Sequence, residues 1–147
     1  MNKRGNQATH SKESILAHAK NLLRVYLPAM QRMPKIERWD GAAPSLRQAA
    51  FDIIDLYTVA WNCPEARLTS IQRMFGAYGR LIAAFELLVQ QGLLTAGTQL
   101  AIAEQLERME EGIAKWHHTV AEMKQKDKAL ASGAGAGQKE APVGMEG

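Results

Sequence analysis

Cysteine, aromatic residues and long apolar runs are all scarce in this chain of 147 residues. The single cysteine, Cys63, excludes an internal disulfide framework and a cysteine-rich metal site, and it favours a reducing compartment. The polar segment 1–14 lacks the apolar core of a secretory signal. The apolar run Leu81–Phe85 ends at Glu86, far short of the roughly 18 residues that span a membrane. The composition therefore predicts a cytoplasmic protein without a membrane segment.

The residue patterns of common catalytic and metal sites are missing as well. A di-iron site in a helical bundle needs Glu-x-x-His pairs, and none of the four histidines has a glutamate three positions before it. Cys63 precedes a proline and has no evident histidine partner, so we do not predict a nucleophile there. The chain also lacks the Cys-x-x-Cys-His of c-type haem attachment. We therefore predict no catalytic residue, no metal site and no cofactor.

Apolar residues recur at helical spacing in four segments, and no segment alternates as a strand would. The second of these apolar stripes includes Tyr57, and the third includes Phe75. The last stripe has the spacing of a heptad seam and comprises Ile102, Leu106, Met109, Ile113, Trp116 and Val120. Breaks fall at Pro34, at Asn62-Cys63-Pro64 and at Gly92. The pattern predicts an all-α fold, an antiparallel up-down-up-down four-helix bundle with a loop over 34–43.

The two ends of the chain differ in composition from this helical part. Residues 1–10 include Lys3 and Arg4, which predicts a flexible basic arm. Residues 131–147 are rich in glycine and alanine, and such a sequence buries too little apolar surface to become ordered. We therefore predict a bundle at 11–130 followed by a disordered tail at 131–147.

Charge is distributed unevenly along the sequence. Residues 1–80 hold twelve basic and six acidic residues, a net charge of +6, whereas the rest holds six basic and nine acidic residues, a net charge of −3. A sided distribution on a small helical domain predicts a basic surface and an anionic partner such as RNA or DNA. The candidate contacts are Lys20, Arg24, Lys35, Arg38, Arg47, Arg73 and Arg80. Taken singly, each could equally be a solvated surface charge.

A stripe of small residues runs along the third predicted helix, on a side away from its apolar face. Gly76, Gly79 and Ala83 make up this stripe. Glycine inside a helix costs about 1 kcal/mol relative to alanine, which favours a place where another backbone approaches closely. We predict a subunit interface there, although the helix could also tolerate these glycines or pack against its own subunit. Trp39, in the predicted loop, is a candidate for stacking on a nucleic-acid base, or a simple loop anchor.

Several short motifs resemble those of the accessory variability determinant (Avd) proteins of diversity-generating retroelements. The first helix and its exit read Tyr26-Leu27-Pro28 and Met33-Pro34-Lys35, with Arg47 opening the second helix. The likeness continues through the apolar third helix with Arg80, the Gly92–Thr95 turn, and Gly112-Ile113 with Trp116. It covers roughly residues 15–120. The related proteins encoded in ribosomal intervening sequences are less similar, because their Asn-Ile-Ala-Glu-Gly segment is absent.

The resemblance implies a function as well as a fold. It implies a four-helix bundle that assembles as a ring-like homopentamer with a positively charged surface. Its implied partners are a reverse transcriptase, the template-repeat RNA and the mutagenised cDNA, and the accessory protein itself is not a catalyst. Arg38, Arg47, Arg73 and Arg80 become candidate contacts to RNA or polymerase. Two alternatives stay open: a protein–protein scaffold without a nucleic-acid role, and a small helical enzyme that binds a carboxylate substrate through arginines.

Overall fold

Helices make up nearly all of the computed structural model, which describes the backbone of residues 3–146 and the side chains of residues 15–132. The helices are α1 (Lys3–Gln31), α2 (Lys35–Trp39), α3 (Ala42–Asn62), α4 (Arg67–Gln90) and α5 (Ala96–Glu146). A 3₁₀ turn at Pro64–Ala66 joins α3 to α4. No strand occurs between residues 3 and 146. The prediction of an all-α fold with four long helices is confirmed.

One face of each long helix is buried, as the apolar spacing predicts. The largest fully buried side chains are Ile15, Leu22 and Tyr26 in α1, Leu46 and Ile53 in α3, Ile71, Met74, Leu81 and Leu88 in α4, and Ile102, Met109 and Ile113 in α5. Full burial of an aliphatic side chain of this size contributes roughly 1.5–3 kcal/mol. Phe75 departs from the predicted core stripe. It is 38% exposed, and its ring lies edge-on to His117 at 5.5 Å.

Buried polar groups link neighbouring helices across this core. The Tyr26 hydroxyl donates to the carbonyl oxygen of Ala43 at 2.7 Å, which ties α1 to the start of α3. The Tyr78 hydroxyl donates to the carbonyl oxygen of Leu106 at 2.9 Å, which ties α4 to α5. Burial raises the pKa of Tyr26. Burial, reinforced by the negative charges of Glu110 and Glu107, raises the pKa of Tyr78 to about 12.

The connections between helices are short and partly helical themselves. The predicted loop over 34–43 contains α2 and the first two residues of α3, so the loop prediction is wrong for seven of its ten residues. No residue of α2 is buried, and a single exposed turn leaves no apolar stripe in the sequence to reveal it. Gly92 has φ +70°, and the next residue, Leu93, donates its N–H to the carbonyl oxygen of Leu88. This bond is typical of a glycine-capped helix end, which confirms the predicted role of Gly92.

The chain divides into two compact units. Residues 1–117 form the first unit and hold the core described above, and residues 118–147 form the second. In the second unit, His118 Nε2 lies 2.7 Å from Glu122 Oε1 on the next helical turn. The predicted arm (1–10) and tail (131–147) lie almost wholly outside the residues whose side chains are described, and both stay predictions.

Candidate nucleic-acid interface

The seven cations predicted to bind an anionic partner lie mostly in solvent. Arg38 is half-buried, and its Nε atom is enclosed without a hydrogen-bond partner among the described residues. The other six are exposed, namely Lys20, Arg24, Lys35, Arg47, Arg73 and Arg80. Accessible cations are what neutralisation of a phosphate backbone requires. The exposure of these residues therefore suits a binding surface, and their neighbours decide which of them keep their charge available.

Lys20 and Arg24 lie together in a groove between α1 and α3. This α1–α3 groove has a volume of about 590 Å³ and is lined by Leu16, Ala17, Lys20, Asn21, Arg24, Tyr57 and Trp61. Arg24 Nη1 donates to Asn21 Oδ1 at 3.2 Å, which steadies the guanidinium on its own helix. No acidic residue is among the described residues that line the groove. The α1–α3 groove is therefore positively charged along one wall.

The opposite wall of the α1–α3 groove is aromatic. Tyr57 and Trp61 are one helical turn apart on α3, and their rings stack with centroids 5.9 Å apart and planes 17° apart. Trp116 of α5 lies behind them, 5.6 Å from Tyr57 and 6.3 Å from Trp61 in tilted contacts. Trp116 and Tyr57 are buried, whereas Trp61 is 43% exposed. The packing of these rings holds Trp61 at the surface in a defined position.

Arg73 and Arg80 also share a groove, but its charges are balanced. This α3–α4 groove, of about 560 Å³, is lined by Asp52, Asp55, Leu56, Arg73, Gly76, Ala77 and Arg80. Arg80 Nη1 donates to Asp52 Oδ2 at 2.9 Å, and the two form an ion pair. Of the seven predicted cations, Arg80 alone pairs with an acidic side chain of the described chain. The α3–α4 groove therefore offers a polyanion less net attraction than the α1–α3 groove.

The small-residue stripe lies open to solvent. Gly76, Gly79 and Ala83 are all exposed. A Cβ atom built on either glycine would have no described atom within 4 Å apart from the adjoining residues and backbone of its own helix. Another helix of the same subunit therefore does not pack closely against these glycines in the described chain. Ala83 and Arg80 line a further cavity of about 710 Å³, together with Trp39. Trp39 itself is 77% exposed.

The remaining predicted cations lie near the first connection. Lys35 and Arg38 belong to α2, and Arg47 lies in the second turn of α3. The guanidinium carbon of Arg47 stands 5.0 Å above the centre of the Phe51 ring, a cation–π contact that leaves the charge exposed. The structure thus distributes the seven cations over three places: the α1–α3 groove, the α3–α4 groove and the α2 region.

Sequence reasoning missed the aromatic wall of the α1–α3 groove. It placed Tyr57 in the core, where the structure also has it, and considered Trp39 as the only base-stacking candidate. The available signal was the spacing of Tyr57 and Trp61, which puts both rings on one side of a helix. Nothing in the sequence showed that Lys20 and Arg24 would face that side.

Few other residues in the described part of the chain form groups that could bind a metal or react. It contains no group of three or more His, Cys, Asp or Glu residues placed to hold a metal ion. The Cys63 thiol donates to Glu65 Oε2 at 3.3 Å. The Glu65 carboxyl also accepts a hydrogen bond from the Glu65 backbone N–H. This bond and, to a lesser extent, the bond from the thiol lower the pKa of the carboxyl. Among the described residues, no helix combines the length and the apolar character needed to cross a bilayer.

No protein-family model, curated protein or solved structure matches the chain.

Proposed function

We propose that this protein is a non-catalytic accessory factor that binds RNA or cDNA through exposed basic residues. The observation that carries the proposal is the accessibility of the cations. Six of the seven predicted contacts are exposed, and Arg80 alone pairs with a described acid. Exposed cations without an acidic partner favour a polyanion, because each phosphate contact releases counterions condensed on the nucleic acid.

The biological setting of the proposal rests on the sequence resemblance alone. This setting is a diversity-generating retroelement, in which the protein acts in the cytoplasm with a reverse transcriptase and template-repeat RNA. In this proposal the four long helices run antiparallel, and the bundles assemble into a ring, a homopentamer. The ring would repeat the basic residues of each subunit and so strengthen the field that a nucleic acid meets.

The test is the salt dependence of RNA binding by the full chain. A labelled structured RNA is titrated at low and moderate salt, and light scattering gives the mass of the complex and of the protein alone. We expect a discrete oligomer whose affinity falls steeply with salt, with a logarithmic slope of about −2 or steeper for three or more phosphate contacts. Addition of a retroelement reverse transcriptase should increase the mass further.

A matched pair of charge reversals locates the binding surface. Lys35→Glu with Arg73→Glu should weaken RNA binding at least about tenfold, because two phosphate contacts are lost. Lys124→Glu with Lys128→Glu changes the charge equally on exposed residues outside the basic half and should have little effect. A monomer indifferent to RNA, or equal losses in both double variants, would overturn the proposal.

One observation favours a second candidate, a protein–protein scaffold without a nucleic-acid role. The α3–α4 groove combines two acids, two arginines and an exposed glycine, a mixture better suited to another protein surface than to a polyanion. The same titration separates the candidates, because a scaffold would form its oligomer and leave RNA unbound at every salt concentration.

A further inference from the structure

We propose that the α1–α3 groove binds an unpaired nucleotide of a single-stranded nucleic acid. Its base stacks on Trp61, and Lys20 and Arg24 hold the adjacent phosphates. The inference rests on the proposed function, and it adds a specific site and a preference for unpaired strands. The nucleic acid is recognised by a base face and a backbone charge, so no particular base sequence is selected.

The first support is the position of Trp61. Trp61 is 43% exposed and lines the groove, while ring contacts with Tyr57 and Trp116 hold it in place. An exposed indole that is already ordered loses little conformational freedom when a base stacks on it. Trp39 is more exposed, but it lies on the single-turn helix α2 and has no ring partner among the described residues. Trp61 is therefore the better-prepared platform.

The second support is the charge beside that platform. Lys20 and Arg24 are one helical turn apart on α1, and both are exposed. They line the same groove as Trp61, and its described lining includes no carboxylate. The α3–α4 groove contains as many cations but also Asp52 and Asp55. Charge complementarity to a phosphate backbone therefore favours the α1–α3 groove.

The third support is the size and character of the groove. Its volume of about 590 Å³ falls within the roughly 300–1,000 Å³ of small-ligand sites, so a nucleotide fits. Leu16 and Ala17 add apolar surface to its lining. A base inside a duplex is stacked on both faces and cannot lie on a protein ring unless it leaves the helix. The groove therefore selects unpaired strands.

The first test needs no variant. The full chain is titrated with a labelled oligothymidylate and with an abasic strand of the same length, which keeps the phosphates and lacks the bases. We expect the abasic strand to bind about 5- to 150-fold more weakly, the range that follows from stacking of one base. A duplex competitor should displace the oligothymidylate poorly. Equal affinities for the two strands would overturn the inference while leaving electrostatic RNA binding intact.

The second test assigns the stacking to Trp61. Trp61→Leu should abolish the difference between the two strands, and Trp61→Phe should restore part of it because an aromatic ring returns. Trp39→Leu is the matched control and should retain the full difference. Thermal unfolding of each variant checks that the fold is kept. If Trp39→Leu removed the difference and Trp61→Leu did not, the site would be wrongly assigned.

The third test concerns the phosphates. Lys20→Ala and Arg24→Ala should each reduce the logarithmic salt slope by about 0.7, the value for one phosphate contact on a single strand. They should weaken binding of the abasic strand as much as that of the oligothymidylate. Lys124→Ala, at an exposed residue outside the basic half, is the control and should leave the salt slope unchanged. Unaltered slopes in both groove variants would contradict the proposed role of the two cations.

Discussion

We expect two buried tyrosine hydroxyls to make the stability of this protein sensitive to alkaline pH. Tyr26 and Tyr78 each donate to a backbone carbonyl oxygen, and burial raises the pKa of both side chains above the ordinary value of 10.0. Raised values mean that the folded state holds these protons more tightly than the unfolded state does. The stabilisation is therefore complete below pH 10 and is lost as the pH rises towards the folded-state pKa.

For Tyr78, whose pKa is about 12, we expect the free energy of unfolding to fall by on the order of 2 kcal/mol between pH 10 and pH 12. Urea unfolding followed by circular dichroism measures this fall. Tyr78→Phe removes the titrating group, so the fall should become smaller in that variant, with the part due to Tyr26 remaining. An identical pH dependence in the two proteins would show that Tyr78 keeps an ordinary pKa.

At the scale of the helix, the open glycines of α4 are expected to lower its stability. Gly76 and Gly79 are exposed, and apart from the adjoining residues and backbone of α4, a Cβ atom at either would meet no described atom within 4 Å. Replacing both by alanine should raise the free energy of unfolding by about 1.5–2 kcal/mol. If the stripe is the predicted subunit interface, the same change should also lower the oligomer mass in light scattering, because two methyl groups would separate the backbones.

Gly92→Ala is the matched control for these substitutions. Gly92 has φ +70°, a left-handed conformation that costs a residue with a side chain roughly 1–2 kcal/mol. The same glycine-to-alanine change should therefore destabilise the protein at Gly92 and stabilise it at the two helical glycines. Destabilisation at Gly76 or Gly79 without any change in oligomer mass would contradict both the open geometry and the predicted interface.

At the scale of the whole molecule, the electrostatic field depends on which charges are neutralised. Residues 1–80 carry a net charge of +6, but the ion pair with Asp52 neutralises Arg80. We expect Asp52→Asn to tighten RNA binding several-fold at low salt and to cost at most about 1 kcal/mol of stability, as is usual for a surface ion pair. Fluorescence anisotropy and thermal unfolding measure these two effects.

Asp55→Asn serves as the comparison, because it removes the same charge from the same groove without breaking an ion pair with a described residue. The affinity gained with Asp52→Asn beyond that gained with Asp55→Asn is due to the release of Arg80. Both gains should shrink at higher salt. Equal gains would show that only the net charge matters, and no gain in either variant would place the α3–α4 groove away from the nucleic acid.

Helix positions and burial were predictable to a large extent, and the exceptions share one cause. Five of the six residues predicted for the last stripe are buried, and the sixth, Val120, is half-buried. This much was predictable because a helical period appears within a few turns of one segment. The turn α2 was missed because it buries nothing. The predicted burial of Phe75 was wrong because this residue lies at the edge of the stripe, where burial depends on whether a neighbouring helix covers it. Local spacing cannot show where an adjacent helix stops covering a face.

The residues of the candidate site were predictable from the sequence, but their arrangement was not. The exposure of Lys20 and Arg24 follows from their place opposite the apolar face of α1. For Trp61, the sequence gives the residue type but not its surroundings. Their meeting in one groove depends on how α1 and α3 are rotated about their axes and how closely they pack. The pairing of Arg80 with Asp52 depends likewise on the packing of α3 against α4.

The sequence by itself determined the four long helices, their buried faces and the excess of positive charge in residues 1–80, because each depends on neighbours within a few turns or on composition alone. Only the tertiary structure decided which cations stand beside an aromatic ring and which stand beside a carboxylate. Those distances join residues on different helices, and small rotations of a helix change them while its apolar face stays buried.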